Sequence, residues 1–141
     1  TIHGMFVFGS DYDTPESVLE TTRFANRYNI DTIQSISLLP LPGTPLAAKY
    51  EKMKKILTKK WELYSGHRVI IKPALMKPVE LQRAIIRGIR RFYSLPQIIK
   101  QFFRFRLGKN WKSNFALRVI GTVMRLAMIR ELKEVRLQEE N

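Results

Sequence analysis

Met5 to Phe8 form a continuous apolar run between Gly4 and Gly9, a pattern that predicts a strand buried on both faces, as in a parallel sheet. Gly9 ends the run. Asp11 and Asp13 are turn formers, Thr14 is a good helix N-cap, and Pro15 suits the first helical position, where its missing N–H costs nothing. From Pro15 to about Asn29 the spacing of Val18, Leu19, Thr22 and Ala25, with Phe24 and Tyr28 as further candidates for the inner side, predicts a moderately amphipathic helix. Thr32 to Leu39 then alternates near period two, which predicts a second strand. A strand, helix and strand joined over this length make a βαβ crossover, so the strands are expected to be parallel and the connection right-handed. Loops after such strands lie at their carboxyl ends, where ligands bind in parallel α/β folds.

Three prolines and a glycine in Pro40-Leu41-Pro42-Gly43-Thr44-Pro45 predict a stiff extended turn with few backbone donors. A basic helix is expected from Pro45 to about Ile56, then an aromatic turn over Trp61–His67 and a short third strand over Arg68–Lys72, stopped by Pro73. From Pro78 the pattern is helical only. Pro78–Tyr93 carries Leu81, Ile85, Ile86 and Ile89; Pro96–Leu107 carries Ile98, Ile99, Phe102, Phe103 and Phe105; Ser113 to about Leu137 carries Leu117, Ile120, Val123, Met124, Ala127, Met128 and Leu132. A soft boundary near Pro73–Pro78 divides the chain into 1–74 and 75–141. Two parallel strands leave edges with unpaired backbone groups and are too small to be stable alone, so the C-terminal helices, further βα units or a second copy of the chain must cover them.

Charge separates the two halves. The chain carries 25 Lys+Arg against 12 Asp+Glu, yet no acidic residue lies between Glu80 and Glu131, a stretch that holds Arg83, Arg87, Arg90, Arg91, Lys100, Arg104, Arg106, Lys109, Lys112, Arg118, Arg125 and Arg130. The absence of cysteine excludes disulfides, thiolate zinc sites and cysteine-ligated iron–sulfur clusters within these residues. His3 and His67 are far apart without a local ligand pattern, so no metal site is expected. No secretory signal opens the sequence and no apolar run reaches the roughly 20 residues that span a bilayer, so the expected location is the cytoplasm, with the membrane periphery as a second setting. The start at Thr1 reads as that of a piece of a longer protein.

Three segments occur in one order: Phe6-Val7-Phe8-Gly9-Ser10-Asp11-Tyr12-Asp13-Thr14-Pro15-Glu16, Leu39-Pro40-Leu41-Pro42-Gly43-Thr44-Pro45-Leu46, and Trp61-Glu62-Leu63-Tyr64-Ser65-Gly66-His67. Together they resemble the later part of radical S-adenosylmethionine enzymes, in particular the cobalamin-dependent branch that includes magnesium-protoporphyrin monomethyl ester cyclase-like proteins and hopanoid methylases. The resemblance implies an α/β fragment: the last βα units of a partial (β/α) barrel with parallel strands, followed by an all-helical C-terminal region. It implies that Val7, Phe8 and Gly9 lie against the adenine of S-adenosylmethionine, with Asp13 at the acidic position of the following loop and Ile36, Leu38 and Leu39 near the cofactor. It also implies a 4Fe-4S cluster, with cobalamin as a further candidate, in the full-length protein, and radical chemistry such as methyl transfer or oxidative cyclisation. The three-cysteine motif that would hold the cluster is absent, so no catalytic residue is expected here and no cofactor on this chain alone.

Each signal also has a plainer reading. Val7, Phe8 and Gly9 suit core packing, and Asp11 and Asp13 suit turns and caps rather than a hydrolytic or divalent-cation site. Trp61, Tyr64 and His67 suit a packed aromatic corner, with His67 as general base a minor alternative. The basic half suits a solvated face around a helical core. Its mixture in Phe102-Phe103-Arg104-Phe105-Arg106 also suits an anionic membrane surface, and nucleic acid ranks behind that. The expected partners are the missing N-terminal barrel portion, a second copy of the chain, and such a surface.

Overall fold

The computed structural model describes residues 2–105 and positions 116, 119–121 and 123. Its elements are β1 (His3–Phe8), α1 (Pro15–Arg27), β2 (Thr32–Ser37), α2 (Pro45–Lys52), α3 (Pro78–Phe92) and α4 (Leu95–Phe105), with one 3-10 turn at Trp61–Leu63. Most of the expected third helix beyond α4 lies outside the described residues; positions 116, 119–121 and 123 are helical.

β1 and β2 pair in parallel with Gly4 beside Ile33, Phe6 beside Ser35, Val7 beside Ile36 and Phe8 beside Ser37. The fold is mixed α/β around this two-strand sheet. Because side chains alternate across a strand, this register gives the sheet two unlike faces. Phe6, Phe8 and Ile33 join Val18 and Ala25 of α1 and Leu81, Ala84, Ile85, Ile89 and Phe92 of α3 in one core. α3, which follows the sequence boundary near residue 75, is therefore packed into the same core as the βαβ unit. Gly88 permits this packing, since a Cβ there would stand 2.7 Å from the Thr22 hydroxyl of α1.

The other face is open. Met5 is 66% exposed and Val7 54%, so the expected burial of β1 on both faces does not hold: the helices cover one side of the sheet only. Phe24 and Tyr28, expected on the inner side of α1, are exposed and touch each other at a 4.7 Å centroid distance.

The outer edge of β2 is closed in two places by a side chain and a backbone carbonyl from later in the chain. The N–H of Ile33 donates to the Tyr93 hydroxyl (3.0 Å), which donates in turn to the Ile33 carbonyl (3.1 Å). The Ser37 N–H donates to the carbonyl of Gly66 at 2.8 Å. Covering the edge, left to helices, further strands or a second copy by the sequence, thus falls in part to α3 and the aromatic turn.

Boundaries shift for identifiable reasons. β2 stops at Ser37 because the proline-rich turn follows, although the Leu38 N–H still reaches the Phe8 carbonyl at 2.7 Å. α2 ends at Lys52 rather than near Ile56, as the chain turns through Lys54 at φ 54°. The expected strand at Arg68–Lys72 is a single antiparallel bridge, Ile56 to Ile71, because Ile56 sits in a loop and no neighbouring strand continues the pairing. Ile70 and Ile71 instead form a second core with Tyr50, against which Leu38, Leu39, Leu46 and Tyr64 pack.

Candidate functional site

The three segments singled out in the sequence meet at the carboxyl end of the two-strand sheet. The first is the loop from Gly9 to Thr14. Gly9 leaves β1 at φ 109°, and a Cβ there would meet Ile71 and Leu81 at 3.1 Å, so the turn needs glycine both for its backbone angle and for space. Asp13 organises the loop. Its Oδ2 accepts from the Gly9 N–H (2.9 Å), the Ser10 N–H (2.8 Å) and the Ser10 hydroxyl (2.8 Å), while Oδ1 accepts from the Ser17 hydroxyl (3.3 Å). Three donors on one carboxylate oxygen, two of them backbone N–H groups, fold the loop around Asp13, which positions it from inside. Thr14 and Ser17 then exchange hydrogen bonds as a capping box and start α1.

Asp11 ties the loop to α2 and the turn that follows it. Its carboxylate accepts from the Lys55 ammonium at 2.7 Å and lies 3.8 Å from Lys49. The Lys55 hydrogen bond holds the Asp11 carboxyl below its usual range, and the same bond raises Lys55. Lys55 also stands 5.5 Å from the centre of the Tyr50 ring, whose hydroxyl is raised by burial. The pairing of Asp11 with lysines, rather than with Asp13 across an open cleft, fits a structural carboxylate. Among the described residues no group of three or more His, Cys, Asp or Glu side chains is placed to hold a metal ion.

The proline-rich turn and the aromatic turn form a groove of about 620 Å³, lined by Pro40, Pro42, Pro45, Trp61 and Tyr64 among others and rimmed by the Glu51–Lys59 ion pair. Trp61 and Tyr64 tilt against each other at 5.3 Å. Beyond them Gly66 lies over the open face of β2: a Cβ on it would be 3.3 Å from Ile36 and 3.6 Å from Leu39. His67 follows. Its carbonyl accepts from the Gln82 amide at 2.9 Å, while its Nδ1 is buried with no hydrogen-bond partner.

The residues expected near a cofactor thus fall into two sets. Val7 and Ile36, direct neighbours in the ladder, share the open face. Phe8 is 5% exposed on the helix side, Gly9 is buried, and the side chains of Leu38 and Leu39 pack on the second core. Those four shape the end of the sheet from behind. Sequence reasoning missed Gln82, which also accepts the Val69 N–H at 2.8 Å, and Tyr93. Neither carries a local signal, because both act on backbone distant in sequence.

Comparison with curated proteins gives two methyltransferases. The chain is 28% identical over 117 residues to a bacteriochlorophyllide d C-12(1)-methyltransferase of Chlorobaculum tepidum, a match covering 82% of this chain and 25% of that protein. It is 28% identical over 101 residues to an uncharacterized methyltransferase of Pyrococcus horikoshii, covering 71% of this chain and 22% of that protein. The chain therefore spans about a quarter of the length of the curated relatives it matches. No family model matches it, and no solved structure does.

Proposed function

We propose that this chain supplies the last two βα units of a methyltransferase barrel, with S-adenosylmethionine as its cofactor and the adenine resting against Val7 and Ile36. The observation that carries the reading is the one-sided sheet: α1 and α3 cover one face, while Met5, Val7 and Ile36 line the other, as strands do when their uncovered face looks into a barrel. The two curated methyltransferases, each roughly four times the matched length, support the same direction.

A purine presents a flat apolar face, and Val7 with Ile36 offers one of matching character at the carboxyl end of the strands. S-adenosylmethionine, when bound, supplies a methyl group activated by its sulfonium. The chain's own part is positional. Asp13 fixes the loop at the end of β1, the Leu38 N–H to Phe8 carbonyl bond holds the strand ends in register, and Gly66 bounds the open face beside Ile36. Lacking cysteine, these residues do not fit a 4Fe-4S cluster, and no step is assigned through one. The radical branch of the reading rests on the resemblance of the three segments alone and places cluster and cobalamin in the remainder of a longer protein.

Two measurements test this. The genomic reading frame ahead of Thr1 should encode a three-cysteine motif; a frame without it removes the cluster-dependent version. Equilibrium dialysis of that frame's product with labelled S-adenosylmethionine should show binding that Val7→Asp weakens at least about tenfold by placing a charge against the purine. Unchanged affinity in a folded Val7→Asp protein overturns the assigned site.

A further inference from the structure

We propose that α3 and α4 together form a docking surface for an anionic lipid membrane. On α3, Leu81, Ala84, Ile85, Gly88, Ile89 and Phe92 are buried, which leaves Arg83, Arg87, Arg90 and Arg91 exposed along the opposite side. Their spacing of four, three and one residues makes a single stripe. The one carboxylate nearby in sequence, Glu80 in the first turn of α3, accepts from the Lys77 N–H at 2.7 Å, and no other occurs before Glu131. The ion pairs among the described residues, Asp11 with Lys49 and Lys55 and Glu51 with Lys59, lie elsewhere.

α4 contributes the apolar component. Leu95 is 71% exposed and Ile99 55%, and four residues apart they share a helix face. In the sequence Phe102 and Phe103 continue that spacing, whereas Gln97, Lys100 and Arg104 fall at the opposite positions. Val119, Ile120 and Val123 are also exposed, at 43%, 53% and 61%. No helix among the described residues is long and apolar enough to cross a membrane, so α4 has the composition of a helix that lies in the interface.

The exposed aliphatic residues decide between polyanions. Nucleic acid is gripped by phosphate contacts and aromatic stacking, to which Leu95 and Ile99 add nothing. A lipid surface uses both halves: arginines meet headgroup phosphates while leucine and isoleucine enter the acyl boundary.

The test is co-sedimentation of the full chain with vesicles of phosphatidylcholine alone and of equimolar phosphatidylcholine and phosphatidylglycerol, at low and high salt. Binding is expected only to the anionic vesicles and to fall with salt. Combining Arg83→Gln, Arg87→Gln and Arg90→Gln should weaken it roughly a hundredfold, at about fivefold for each cation. Leu95→Gln with Ile99→Gln, two exposed positions whose change leaves the core intact, should weaken it at least about tenfold. Equal binding to neutral vesicles, no binding to anionic ones at low salt, or wild-type binding by the Leu95/Ile99 variant overturns the proposal. So does a DNA duplex that is bound more tightly than the anionic vesicles, which would assign the stripe to nucleic acid.

Discussion

Replacing Tyr93 by Phe removes one oxygen and keeps the ring. The ring is 5% exposed and stands edge-on to Phe92 at 4.8 Å and 80°, a contact the substitution preserves. What goes is the hydroxyl that accepts the Ile33 N–H and donates to the Ile33 carbonyl, at a strand position only 7% exposed. In the parallel ladder the N–H and C=O of residue 33 both point away from β1, as the bonds of the Thr32 N–H to the Ile2 carbonyl and of the Leu38 N–H to the Phe8 carbonyl show, so neither can turn to the sheet for a replacement. Two buried backbone groups thus lose this partner at once, each worth about 1–3 kcal/mol when left unsatisfied, and the expected loss is about 2–4 kcal/mol. Urea denaturation followed by far-UV circular dichroism should show a midpoint lower by about 1–2 M at unchanged slope. Tyr64→Phe serves as a control: that hydroxyl donates to the Thr58 carbonyl at 3.2 Å from a part-buried position and should cost under about 1 kcal/mol. A loss below about 0.5 kcal/mol for Tyr93→Phe would refute the reasoning, because it would mean that water reaches the β2 edge.

Gly9→Ala should destabilise the fold by about 2–4 kcal/mol in thermal or urea unfolding, since φ 109° is strained for alanine and its Cβ would press on Ile71 and Leu81 at 3.1 Å; a neutral result would show that the turn relaxes freely. Asp13→Ala should cost about 1–2 kcal/mol and speed amide exchange at Gly9 and Ser10 at least about tenfold, with unchanged exchange counting against the loop's dependence on that carboxylate. The Asp11–Lys55 pair should support stability above the ordinary carboxyl value of 3.8 and lose it as pH falls through the lower folded value of Asp11. On the alkaline side, Lys55 contributes fully below its ordinary 10.5 and loses that contribution as pH rises through its higher folded value. A carbon-13 titration of the Asp11 carboxyl should give a midpoint below 3.8 that Lys55→Met returns upward; a midpoint at or above 3.8 in the unaltered chain would contradict the pairing.

The parts of the fold legible in the sequence are those written locally. Thr14 and Pro15 specify the start of α1, and the apolar run at Met5–Phe8 and the alternation from Thr32 specify two strands whose connection makes them parallel. The apolar run could not reveal its one-sided burial, because Met5 and Val7 resemble Phe6 and Phe8 in kind and only the position of the helices separates them. Arg68–Lys72 has strand composition, yet strand formation needs a partner, and Ile71 finds a single residue to pair with. Tyr93 and Gln82 reach backbone 60 and 13–15 residues away, distances over which sequence spacing carries no signal. For the site, the three segments were recognisable as a set, and the structure gathers them at one end of the sheet. Asp11 and Asp13 both lie in the turn after β1, as the residues suggested, but the helix cap falls to Thr14, Asp13 binds the loop amides and Asp11 pairs with lysines.

Photolabelling probes the proposed use of the open sheet face most directly. The product of the reading frame that contains this chain is irradiated with 8-azido-S-adenosylmethionine, digested with trypsin, and the adduct located by mass spectrometry. The label should fall on the peptide that ends at Arg23 and carries Met5 and Val7 or on the peptide Tyr28–Lys49 that carries Ile36, and excess S-adenosylmethionine should suppress it. A competed adduct found only elsewhere in the protein would contradict the placement of the purine on Val7 and Ile36.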